Sequence, residues 1–187
     1  MKRAKQQSLN EFLVIRAQQG DRISFNQLLQ RWQQRYYGYA LNRLGNSEAA
    51  KDVCQDCLLS ISRSLGGLSD PAAFPTWSFR ILERRCVDWL RKTIREREAV
   101  VSSGELPETA VEDRTTAEDA STEVKKILRS MDGRLATVLR LYYLEELPVT
   151  DIGEILNVPT GTVKSRLFYA RKLFVDAIAQ QRGDSDE

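Results

Sequence analysis

The sequence predicts an all-α protein: two small helical domains joined by a flexible acidic linker, the C-terminal one a helix-turn-helix. Three observations carry this. Apolar residues recur at helical spacing through nearly the whole chain. Residues 98–119 lose that spacing in a polar, acidic run punctuated by Gly and Pro. Residues 147–174, LPVTDIGEILNVPTGTVKSRLFYARKLF, divide into two short amphipathic segments about Asn157-Val158-Pro159, a stop and a turn.

The elements follow in order. Ser8-Leu9-Asn10-Glu11 has the form of a capping box, with Leu9, Phe12, Leu13 and Ala17 as a stripe closed by Gly20. Ser24 repeats the capping signal before a longer stripe of Phe25, Leu28, Leu29, Trp32 and Tyr36, which Gly45 ends. Ser47 opens a third helix with Ala50, Val53, Cys54, Cys57, Leu58 and Ile61 inward, closed by Gly66-Gly67. Ser69-Asp70-Pro71 makes a loop. A fourth helix starts near Phe74-Pro75 and runs to about Arg97, apolar on more than one face and therefore central. Beyond the linker, Val124, Ile127, Leu128 and Met131 mark one helix, and Leu135, Val138, Leu139 and Tyr142 the next. The expected domains are 1–97 and 120–182, with 98–119 between them.

Composition narrows the function. The chain has 187 residues, 42% hydrophobic, enough for real cores. No apolar run is long enough to span a bilayer, and no apolar segment follows the basic N-terminal residues, so a cytoplasmic location is expected. Net charge is +2 but uneven: residues 1–100 hold 17 basic and 10 acidic side chains, and residues 101–124 hold 1 and 7. A basic front half followed by an acidic segment suits a polyanion-binding protein. Histidine is absent and cysteine numbers three, so the Cys54-x-x-Cys57 pair with Cys86 cannot complete a tetrahedral Cys/His zinc site. Both residues of the pair fall in a helical apolar pattern and read as buried structural thiols. No nucleophile–base pair or metal cluster is evident, which disfavours an enzyme and calls for no cofactor.

The second segment of the helix-turn-helix has Val163, Leu167, Ala170 and Phe174 as its inner stripe. Its outer face shows Thr162, Lys164, Ser165, Arg166, Tyr169, Arg171 and Lys172. Hydroxyls and cations opposite an apolar stripe suit a helix lying in a DNA major groove. Thr160-Gly161 at its start can offer free amides to a phosphate. Thr162, Ser165 and Arg166 are candidates for base edges; Lys164, Arg171 and Lys172 suit the backbone. Gly153 stands where a capping Glu would help the preceding helix, and should weaken it by up to about 1 kcal/mol relative to Ala.

Three blocks resemble the small extracytoplasmic-function (ECF) sigma factors of bacterial RNA polymerase. They are Ala50-Lys51-Asp52-Val53-Cys54-Gln55-Asp56-Cys57-Leu58, Phe74-Pro75-Thr76-Trp77-Ser78-Phe79-Arg80-Ile81, and Val158-Pro159-Thr160-Gly161-Thr162-Val163-Lys164-Ser165-Arg166-Leu167 with Ala170-Arg171. They stand in the family's order over about residues 8–180.

The resemblance implies that the first domain binds core polymerase and the minus-ten promoter element, and the second the minus-thirty-five element. It makes Asp52, Gln55 and Asp56, flanked by Arg43 and Leu58, the contact for the clamp coiled coil of the largest polymerase subunit. Ser69, Asp70, Trp77, Arg80, Arg84, Arg85 and Arg91 become the minus-ten surface; aromatics can stack on unpaired bases and the arginines neutralise phosphates. Thr160, Gly161, Thr162, Lys164, Ser165, Arg166, Arg171 and Lys172 become the minus-thirty-five surface. Most of the family is held by an anti-sigma factor, which is therefore an expected partner. The rival is a stand-alone helix-turn-helix regulator that binds an operator without polymerase.

Overall fold

The computed structural model describes residues 2–102, 127–128 and 130–183. Among them the regular structure is helical: α1 (Lys2–Gln18), α2 (Arg22–Leu44), α3 (Ser47–Ser64), α4 (Phe74–Ser102), α5 (Gly133–Leu139), α6 (Val149–Leu156) and α7 (Thr160–Gly183). Short 3₁₀ turns, Leu65–Gly67 and Pro71–Ala73, join α3 to α4. The run Lys2–Gln7 has no large apolar residue, but its Lys, Arg, Ala and Gln are strong helix formers. The first helix therefore starts well before Ser8, which lies in its interior rather than at a cap. Its buried stripe is Asn10, Leu13 and Val14; Leu9 and Phe12, expected inward, are exposed.

Two other caps sit upstream of their expected residues. Asp21, not Ser24, caps α2: its carboxylate accepts from the Ile23 and Ser24 amides and from the Ser24 hydroxyl. Asn46, not Ser47, caps α3 by accepting from the Ala49 amide at 2.8 Å. Gly45 ends α2 in the left-handed region at φ 70°, as its position predicts. The fourth helix runs to Ser102, beyond Arg97 and into the start of the expected linker; residues 103–126, and so the rest of that linker, lie outside the described part.

The α1–α4 bundle closes around an aromatic cluster. Phe79 of α4 stacks edge-on against Tyr36, with ring centroids 5.5 Å apart, and against Trp32 at 6.0 Å. Beside it, a buried polar link ties α4 to α2: the Tyr39 hydroxyl donates to Glu83 at 2.8 Å, and Arg43 Nη2 donates to the same carboxylate at 3.1 Å. Cys54, Cys57 and Cys86 are buried free thiols, and burial pushes Cys54 to about 11 and Cys57 to about 12. Few are ionised at neutral pH, which fits packing roles rather than ligand or redox chemistry.

The C-terminal helices pack on the same bundle, α5 against α2 and α6 against α4. After α5 the chain widens into a π-helical turn, Arg140–Leu144, in which the Glu145 amide bonds the Arg140 carbonyl. Asn157, at φ 52°, ends α6 and starts the turn into α7. Gly153 is buried, and a Cβ there would stand 3.0 Å from the Val158 carbonyl oxygen. The glycine thus lets the turn fold back on α6, a packing role its place in the capping pattern does not reveal.

Candidate nucleic-acid and partner interfaces

On α3, Asp52, Gln55 and Asp56 all project into solvent, opposite buried Val53, Cys57 and Ile61. The next residue at helical spacing on that face is Leu59, 47% exposed. Asp52, Gln55, Asp56 and Leu59 thus stand at i, i+3, i+4 and i+7, an acidic–amide face ending in an apolar residue. Leu58 is rotated away and packs half-buried on the core. Arg43 also stands apart from this face, because its guanidinium is committed to Glu83. The signal for Leu59 was present in the sequence, since the three polar residues already define the i+7 position.

On α4, Arg80, Arg84 and Arg91 recur at i, i+4 and i+11 and are exposed, forming one cationic stripe. Arg85 points to another side and donates to Ser60 of α3 at 2.9 Å. Trp77 is half-buried against Phe74, with centroids 5.9 Å apart. In the preceding loop Ser69 is exposed, and the Asp70 carboxylate caps the 3₁₀ turn by accepting from the Ala72 amide at 2.9 Å.

Val163, Leu167 and Ala170 of α7 are buried as expected, which turns Lys164, Ser165, Tyr169 and Lys172 outward. Thr162 and Arg166 are half-exposed at the edges of this face, and Thr160 and Gly161 are exposed at its start. Arg171 is held back toward the π-turn: its Nε donates to the Tyr143 hydroxyl at 2.8 Å, and its guanidinium lies over the Tyr142 ring at 5.3 Å. Phe168, 65% exposed beside Ser165 and Tyr169, is an apolar member of the outer face that a search for polar readers passes over.

The two halves also meet directly. Thr76 of α4 donates to Asp151 of α6 at 2.6 Å, and Arg80 lies 4.0 Å from Glu154. Arg35 of α2 faces Glu145 at 3.5 Å. Arg140 reaches to Gly38 of α2, with guanidinium atoms occupying the place a Cβ would take. Burial pulls the Arg140 guanidinium down and pushes the Glu145 carboxyl up, and Arg35 and Arg140 partly offset the latter.

Among the described residues no group of His, Cys, Asp and Glu could hold a metal, and no helix is long and apolar enough to cross a membrane.

The family of the chain follows from comparison with known proteins. Residues 28–96 match the family model Sigma-70 region 2, and residues 127–173 match Sigma-70, region 4. The chain is 31% identical to the ECF RNA polymerase sigma-E factor of Haemophilus influenzae, over 92% of this chain and 97% of that protein. It is 29% identical to the ECF RNA polymerase sigma factor SigW of Bacillus subtilis, over 85% and 91% of the respective chains. In fold it is similar to the sigma factor RpoE of Bartonella quintana, solved with the anti-sigma factor NepR, at a TM-score of 0.64 and 22% identity, covering 83% of this chain and 96% of that one. It is similar also to CnrH, solved with the cytosolic domain of CnrY, at 0.59 and 20% identity, covering 94% and 99%. With both regions matched in order and a relative aligned along nearly its whole length, the chain belongs to the ECF RNA polymerase sigma factors, which bind core RNA polymerase and direct promoter-specific initiation.

Proposed function

We propose that the promoter-directing activity is divided between two domains, 1–97 and 120–182, along the surfaces described above. The α3 face of Asp52, Gln55 and Asp56 docks on the clamp coiled coil of the largest polymerase subunit, with Leu59 as its apolar end. The Ser69-Asp70 loop and the Arg80–Arg84–Arg91 stripe engage the minus-ten element, with Trp77 bracing the loop against Phe74. Arg43 and Arg85 serve indirectly, by fixing α4 to α2 and α3. The exposed start of α7 reads the minus-thirty-five element through Thr162, Ser165 and Arg166, while Thr160, Gly161, Lys164 and Lys172 hold phosphates. Arg171 acts by anchoring α7 to the π-turn. The protein carries no catalysis of its own, works in the cytoplasm, and is restrained by an anti-sigma factor, as RpoE suggests by the anti-sigma factor NepR with which it was solved.

The observation that most supports this is the clean division of α7 into a buried Val163–Leu167–Ala170 stripe and an outward polar face that begins at the helix N-terminus. A stand-alone regulator would leave the α3 polar face and the α4 stripe without purpose.

Arg166→Ala tests the assignment. Loss of one good base contact costs about 1–3 kcal/mol and relaxes preference at one position. The variant, bound to core, is expected to lose about 5- to 150-fold in affinity for promoter DNA, measured by gel shift, with DNA altered only in the upstream element losing its discrimination. Unchanged affinity and start-site choice would move the reading surface elsewhere.

A further inference from the structure

The loop between α3 and α4 is fastened from α1. The Gln18 carboxamide reaches across to it, and Nε2 donates to the Leu65 carbonyl at 2.9 Å and to the Leu68 carbonyl at 2.7 Å. A primary amide has two hydrogens, and both are used here. The two acceptors bracket Gly66-Gly67. α1 also packs against the Pro71–Ala73 turn, at the other end of the loop. It lies before residues 28–96, the stretch that matches Sigma-70 region 2.

The glycine pair is the weak point of this loop. Both residues are exposed, neither stands in the left-handed region, and a Cβ on either would meet nothing within 4 Å. Neither turn geometry nor packing requires glycine there, and adjacent glycines give a backbone its greatest freedom. The residues on either side are anchored. Leu65 is buried, Leu68 packs half-buried on the core, and the Asp70 carboxylate caps the following 3₁₀ turn. The Leu68 amide closes one bond within the loop, to the Leu65 carbonyl at 3.1 Å, and Gln18 ties the same two residues to the rest of the fold.

The base of that tie is firm. At the end of α1 the Gly20 amide bonds the Ala17 carbonyl at 3.0 Å and the Asp21 amide bonds the Arg16 carbonyl at 3.1 Å, a Schellman closure with Gly20 at φ 90°. Asp21 then caps α2, so Gln18 stands at a corner fixed by two helices. Ser69, exposed, follows directly on the second acceptor. The bond to the Leu68 carbonyl thus sets the direction in which the chain leaves toward Ser69 and Asp70. A reading loop already ordered before DNA arrives loses no affinity to ordering itself.

We propose that Gln18 is a positioning residue for minus-ten recognition: by bracketing Gly66-Gly67, its carboxamide holds Ser69 and Asp70 in the conformation that reads the element. The proposal rests on the assignment of that loop to the minus-ten element. Gln18 acts through the loop backbone and contacts no nucleotide itself.

Full-length variants bound to core test this on two duplexes, a promoter at which the protein initiates and the same promoter scrambled only at minus ten. The readout is the ratio of the two affinities by gel shift, from which any inactive fraction cancels. Gln18→Ala is expected to lower the ratio about tenfold, as when the loop is competent about a tenth of the time, and to leave discrimination at minus thirty-five unchanged. Gln18→Glu has the same length but, ionised, no hydrogen to donate, and should lose as much. Adding Gly66→Ala and Gly67→Ala to Gln18→Ala restrains the freed backbone and should return at least about threefold of the loss. Full discrimination by Gln18→Ala or by Gln18→Glu, a loss that the alanine pair does not recover, or an equal loss at minus thirty-five would each overturn the proposal. Ser69→Ala/Asp70→Asn, which keeps an acceptor for the cap, probes the loop itself. If it loses discrimination and Gln18→Ala does not, positioning by Gln18 fails and the loop assignment stands. If neither variant changes the ratio, it is the loop assignment that fails.

Discussion

Glu83→Ala is expected to destabilise the region 2 bundle by about 3–5 kcal/mol, the cost of breaking a buried ion pair by removing one partner. The Glu83 side chain is only 9% exposed and the Arg43 side chain 19%. Without the carboxylate, the Tyr39 hydroxyl loses its 2.8 Å acceptor, and the Arg43 guanidinium keeps its charge in a pocket built to neutralise it. For a bundle of roughly 100 residues such a loss lowers Tm by more than about 10 °C, measurable by circular dichroism. Glu83→Gln keeps an acceptor for Tyr39 but not the charge, and should fall between the two. A Tm within about 2 °C for Glu83→Ala would show that the link contributes nothing to holding α4 on α2. Function should follow stability, since the cationic stripe is carried on the helix that this link secures.

Asp56→Arg is expected to weaken core polymerase binding by at least about 100-fold, measured by fluorescence anisotropy with labelled protein. A partner charge left facing an unmatched group at an interface costs about 2–5 kcal/mol, and 100-fold corresponds to about 2.8 kcal/mol. Asp56 is exposed, and among the described residues only its backbone carbonyl, accepting from the Ser60 hydroxyl, takes part in a side-chain contact, so the thermal transition should stay within about 1 °C of the unsubstituted protein. Leu59→Ala should show a smaller loss of the same kind. Unchanged core binding by Asp56→Arg would remove α3 from the polymerase interface.

Much of this architecture was legible because apolar spacing reports burial directly. The Val163–Leu167–Ala170 stripe and the inward Val53–Cys57–Ile61 stripe lie where their periods predict. The misses have separate causes. Helix starts went astray because a capping residue satisfies amides two or three positions on, so Asp21 and Ser24 compete for one role and only the geometry chooses between them. Leu58 and Leu59 are adjacent in sequence, but one residue is about 100° of helix rotation, enough to separate core from contact face. Arg43 looked free because the Glu83 that binds it is 40 residues away. The π-turn at Arg140–Leu144 inserts one residue into a hydrogen-bond ladder without altering composition. The contacts of α6 with α4 left no periodic trace, since the spacing along one helix reports that a face is covered and not which distant helix covers it.

The division of labour between an α3 face for polymerase and two DNA-reading surfaces is tested most directly by run-off transcription on a genomic promoter library, using purified core with and without the protein. The expected result is a discrete set of start sites absent with core alone, preserved in position by Asp56→Arg but strongly reduced in yield, and lost selectively at upstream-dependent promoters by Arg166→Ala. Identical transcripts with and without the protein would contradict the account.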